Sequence, residues 1–139
     1  MIIFVGSDES VEELEVDEDP ADSFPCLATG PLYRDARTQL YALVTGVFFD
    51  EAWDFEVLSY TLTEEGPWIY RLATELVEQL AELDEDTIGE YAELWLECEE
   101  LESLDPDLSD LYDFLYHFVH LCRTALDGED LGVFVYANS

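Results

Sequence analysis

Apolar residues recur along this chain in two periods. Ile2, Ile3, Phe4 and Val5 form an unbroken β-branched and aromatic run closed by Gly6, which predicts a buried strand. Residues 131–137 predict a second strand at the other end. Between them the spacing is helical. Ala36, Leu40, Leu43, Val44 and Val47 share one face of a helix over 32–47 that ends near Gly46. Leu76, Val77, Leu80 and Leu83 predict a helix from Thr74. Ile88, Tyr91, Ala92, Trp95 and Cys98 predict another, opened by the capping pair Thr87 and Glu90. After the break at Pro106, Leu111, Phe114, Leu115, Phe118, Cys122, Ala125 and Leu126 predict a last helix that stops at Gly128. Ser10 and Glu13 suggest a capping box around one or two turns carrying Val11 and Leu14. Residues 48–70 keep no single period; a turn at 64–67 is followed by a short extended piece over 68–72. The order implies an α+β, predominantly helical fold. About four helices are expected to pack on a small sheet formed by the N- and C-terminal strands.

At 139 residues the chain is expected to be a single domain, 1–139, with an acidic, loop-rich segment over 7–31 that holds Pro20 and Pro25. A hydrophobic share of 49% with 14% aromatics separates it from disordered acidic tails, so a packed core is expected. Charge changes the picture. Against 35 Asp and Glu stand four bases, Arg34, Arg37, Arg71 and Arg123, for a formal net of −31 and no lysine. Most of the acids therefore lack a partner within the chain, and their repulsion opposes the compact state. No apolar run approaches the ~20 residues a membrane span needs. Asp8 and Glu9 follow the first apolar run without a basic leader, so no secretory signal is expected. Cys26, Cys98 and Cys122 are odd in number and widely separated, which points to a reduced, cytoplasmic protein.

Little in the chain asks for catalysis. Asp113, His117 and His120 fall on one face of the last helix, a row that can in principle hold a transition metal, although three ligands on one straight helix face are a weak signal. The bland reading is two exposed histidines in a negative field. Asp105, Asp107 and Ser109 begin like a calcium loop, but Asp110 and Tyr116 stand where that loop needs Gly and Glu. Carboxylate pairs at glycosidase distance arise by chance among so many acids. No phosphate loop, catalytic triad or basic nucleic-acid patch is present. The expectation is a protein without catalytic residues, metal or cofactor.

The acidic faces are the distinctive feature. Glu90, Glu93, Glu97 and Glu100 line up opposite Trp95 at helical spacing, ~5–6 Å apart. Such like-charge pairs destabilise a helix by ~0.2–0.5 kcal/mol each, and no base offsets them. With Asp105, Asp107, Asp110 and Asp113 they form the candidate partner-binding set. Three readings fit: an inhibitor that plugs the cationic site of a toxin such as a nuclease, a nucleic-acid mimic that occupies a DNA- or RNA-binding protein, and adaptation to high salt. The first two imply a basic protein partner, with neither nucleic acid nor membrane bound directly. Trp95, Phe114 and Phe118 are assigned to the core; Trp53, Tyr60, Trp68 and Tyr112 stay open between core and interface.

The helix end at 38–46, the strand-into-helix passage at 70–77, the helix at 115–125 and the strand at 133–136 resemble small bacterial domains of the YfbM-like kind. The chain is also similar to the small acidic immunity partners of bacterial toxins, which implies an inhibitor of immunity type. The acidic stretch at 7–22 has no counterpart in the resemblance, and no functional residue carries over, because these motifs have no assigned chemistry.

Overall fold

The computed structural model describes residues 2–13, 24–28, 32, 34–61, 63–64, 67–102, 105–128 and 130–137, with Glu100 in its backbone only. Most of the acidic segment over 7–31, including Leu14 and Pro20, lies outside the described residues. In chain order the elements are β1 (Ile2–Ser7), α1 (Asp8–Glu12), β2 (Cys26–Ala28), α2 (Arg34–Thr45), α3 (Phe49–Trp53), β3 (Glu56–Thr61), β4 (Trp68–Leu72), α4 (Thr74–Ala81), α5 (Glu85–Leu96), α6 (Glu99–Glu102), α7 (Leu108–Asp127) and β5 (Leu131–Ala137).

The terminal strands are the middle of the sheet and not the whole of it. β1 and β5 pair antiparallel from Ile2 opposite Tyr136 to Ser7 opposite Leu131. β2 adds outside β1, and the β3–β4 hairpin adds beyond β5, giving the antiparallel order β2-β1-β5-β4-β3. The expectation of a small sheet made from the two ends under about four helices is therefore overturned. β3 escapes the pattern for a physical reason. Its buried position is the charged Glu56, while Val57 and Leu58 face solvent, and the register shifts between Leu58 and Tyr60. Alternation of apolar and polar residues, the usual sign of a strand, is inverted and then interrupted there.

The two sheet faces are covered unequally. Ile3, Val5, Leu72, Val133 and Val135 look into the main core beneath the helices. On the reverse face Phe4, Ile69, Phe134 and Tyr136 pack with Val11 of α1, and Phe4 stacks on Phe134 with ring centroids 5.5 Å apart. Arg71 crosses this second face above the Phe134 ring to reach Asp8, passing closely over Gly132. A Cβ at 132 would sit 3.1 Å from the Arg71 guanidinium.

The helices follow from buried stripes and from caps. α7 buries Leu111, Phe114, Leu115, Phe118, Val119, Cys122 and Ala125 and packs on α4 and α5; each large side chain among them contributes ~1.5–3 kcal/mol by leaving water. Leu126, assigned inward by spacing, lies one 100° step past Ala125 and is exposed. Trp95 is fully buried and donates its indole N–H to the Ala36 carbonyl at 2.8 Å, tying α5 to α2. Gly46 ends α2 with φ of 75°, a left-handed position that favours glycine. α5 starts earlier than the Thr87–Glu90 pair implies. Asp84 is the cap, accepting from the Thr87 N–H at 2.8 Å, because a charged acceptor is well matched to a helix N-terminus. Likewise Ser7, and not Ser10, caps α1.

Candidate functional site

Four bases serve a protein of 35 acids, and each donates to an acceptor within the chain, although only Arg37 is buried, Arg34 and Arg71 are half-buried and Arg123 is exposed. Arg37 is 1% exposed and grips Glu56 with two bonds of 2.9 Å, from Nε to Oε2 and from Nη2 to Oε1. Its Nη1 donates to the Leu32 carbonyl at 2.8 Å, and Tyr41 donates its hydroxyl to Glu56 Oε2 at 2.5 Å. Burial alone would pull the Arg37 guanidinium down; the bonds to Glu56 and the attraction of Tyr41 and Glu56 outweigh it and leave it firmly charged. Burial, then the Glu56 charge, hold the Tyr41 phenol well above its ordinary value. Arg34 donates to the carbonyls of Trp53 and Glu56 at 2.8 and 2.9 Å, lying 4.2 Å from the Trp53 ring centroid. Arg71 holds Asp8 at 2.6 and 2.7 Å. Arg123 donates to the Ala81 and Leu83 carbonyls, satisfying the open C-terminal end of α4.

The outer surface of α5, α6 and the start of α7 carries no arginine. Glu90, Glu93 and Glu97 are exposed, and with Leu94, itself 47% exposed, they line one shallow depression. Asp105 and Glu97 line a second with Glu102, Leu96 and Pro106. Glu93 and Asp113 stand on either side of a third, a groove between α5 and α7. Asp107 and Asp110 are exposed at the N-terminal end of α7, Asp107 in the capping position. Five of the eight proposed residues, Glu90, Glu93, Glu97, Asp105 and Asp113, thus line these depressions, Asp107 and Asp110 are exposed at the end of α7, and the side chain of Glu100 lies outside the described residues.

The expected continuous row of glutamates is interrupted. α5 stops at Leu96, Glu97 is its C-cap, and the Glu97 and Cys98 amides make tightened bonds to Leu94 and Trp95. Carboxylates crowded at a helix C-terminus oppose the macrodipole, which favours termination there. What sequence reasoning missed is the apolar content of this surface. Leu94 and Leu108 sit exposed among the acids, and Gly89 opens the groove floor. Leu94 breaks the apolar stripe of α5 and was the available signal.

The histidine row does not converge. His117 Nδ1 lies 2.7 Å from the Asp113 backbone carbonyl, whereas His120 meets the edge of the Tyr116 ring at 4.5 Å. Among the described residues no group of three or more His, Cys, Asp or Glu is placed to hold a metal. Cys26, Cys98 and Cys122 form no disulfide, Cys98 Sγ lying 3.6 Å from the Leu94 carbonyl oxygen, and no described helix is long and apolar enough to cross a membrane. Trp95 and Phe118 are fully buried and Phe114 nearly so; Trp53, Tyr60, Trp68 and Tyr112 are all partly exposed. Partial burial, followed by the charge of Glu85, raises the Tyr112 phenol above its ordinary value. No protein family, no curated protein and no solved structure gives a match to this chain.

Proposed function

We propose that this chain is a cytoplasmic inhibitor of immunity type, which binds a basic protein such as a toxin nuclease through the acidic surface of α5, α6 and α7. One observation carries the reading: the outer surface of α5, α6 and the start of α7 exposes acids and holds no arginine, the four arginines lying elsewhere in the chain, each bonded to an acceptor of its own fold. A merely solubilising shell needs a net charge of about 2–8 in magnitude and mixes both signs. A uniformly anionic face instead accelerates encounter with a cationic cleft and rejects anionic competitors. The interspersed Leu94 and Leu108 supply the apolar contact that a charged patch lacks.

The test is capture from native cells at low ionic strength, comparing wild type with Glu90, Glu93, Glu97 and Glu100 all changed to Lys. One dominant basic protein, released by salt and lost with the variant, is the expected result. Equal capture by both baits removes α5 from the interface. If duplex DNA or RNA displaces the captured protein, the chain acts as a nucleic-acid mimic.

A further inference from the structure

Gly89 lies in the interior of α5, where glycine is less favourable than alanine by ~1 kcal/mol. Its backbone is not left-handed, and a Cβ there would meet only the Tyr112 ring, at an ordinary 3.9 Å. The fold therefore gives no reason for glycine at 89. What the missing side chain leaves is room: a groove of about 410 Å³ lined by Gly89, Ala92 and Glu93 of α5 and by Leu108, Tyr112 and Asp113 of α7.

We infer that this groove receives an arginine side chain of the basic partner. The inference rests on the proposed function and names the contact that makes it selective. Ala92 and Leu108 offer an apolar bed for the methylene stem. Tyr112 offers a ring for the planar guanidinium, and Glu93 and Asp113 offer acceptors from two different helices. Arginine suits this arrangement better than lysine, because its flat five-donor fork can stack and bond to two carboxylates at once. A purely apolar guest would strip water from both carboxylates without replacing its hydrogen bonds. A second copy of this chain is a poor donor, since its own four arginines are engaged within the fold.

The experiment uses the full chain, labelled with nitrogen-15 and titrated at low ionic strength with hexa-arginine and, separately, hexa-lysine. Hexa-arginine is expected to shift the Gly89 amide and the amides around Tyr112 most strongly, and to bind more tightly than hexa-lysine. Gly89→Leu fills the groove at unchanged net charge and should weaken hexa-arginine binding about tenfold. Circular dichroism confirms that the variant is folded; if it is not, Gly89→Ala, which fits the available space, is read in the same way with a smaller loss. Equal affinity of the folded variant and wild type overturns the groove while leaving the acidic surface in place. Absence of any hexa-arginine binding at low ionic strength overturns the acidic-surface reading as well.

Discussion

Replacing Glu56 with Gln tests how strongly this fold depends on one buried carboxylate. Glu56 is 3% exposed and takes two bonds from Arg37, one from Tyr41 and a longer contact of 4.0 Å from Arg34 Nε. The amide keeps the volume and one acceptor but removes the charge, leaving the Arg37 guanidinium in the core without its counterion. Breaking a buried pair from one side costs about 3–5 kcal/mol, a large fraction of the ~5–15 kcal/mol that holds a domain folded. Urea unfolding followed by tryptophan fluorescence reads this directly. With a slope of ~2 kcal/mol/M, the midpoint should fall by about 2 M at unchanged slope. The companion variant, Arg37→Met with Glu56→Leu, removes both charges and should recover most of the loss, because a well-packed apolar pair does not carry the desolvation cost. A midpoint shift below ~0.5 M for Glu56→Gln, or a double variant no more stable than the single one, refutes the reasoning.

Gly89→Ala should stabilise the fold by ~1 kcal/mol, seen as a rise of a few degrees in melting temperature by calorimetry. Asp105 sits at φ of 45°, so Asp105→Gly should also stabilise, by up to ~1 kcal/mol in urea unfolding, since a left-handed backbone strains any residue with a side chain. Burial raises the Cys122 thiol, and burial with the Glu56 charge raises the Tyr41 phenol. Their stabilising contribution is therefore complete below the unfolded values, ~8.5 and ~10, and is lost as pH rises toward the folded ones, at up to ~1.4 kcal/mol per pH unit for each group. Melting temperatures measured from pH 8 to 11 should fall accordingly, and Cys122→Ala should remove the earlier part of the decline relative to its own value at pH 8. Salt should raise stability steeply up to a few tenths molar as the Debye length falls below ~10 Å, and level off afterwards. A rise that continues to molar salt in the same melting series favours salt adaptation over a binding role.

The helices were legible because their apolar faces repeat over several turns. α4 begins at Thr74 as its stripe predicts, and Trp95 and Phe118 are buried where 100° spacing places them. The sheet was legible where it is buried on both faces, in β1 and β5, and in the short extended piece over 68–72 that forms β4. β3 was lost because it buries a glutamate and exposes a leucine, and that glutamate makes sense only once Arg37 and Tyr41, 19 and 15 residues away in sequence, stand beside it. The acidic surface was legible in outline, since charge without counter-charge is a property of composition. Its groove was not, because Gly89 and Tyr112 meet across two helices and neither residue signals the other.

The outer side of β3 has a consequence for handling the molecule. Among the described residues no strand pairs there, and Val57 and Leu58 are each 54% exposed beside the half-open Trp53. In a neutral protein such a margin is a template for stacking copies into aggregates. Here the charge of −31 acts as a colloidal shield that keeps copies apart at neutral pH. The shield lasts only while the carboxylates are ionised, so near pH ~4 the same edge becomes adhesive, and acid precipitation should begin at β3.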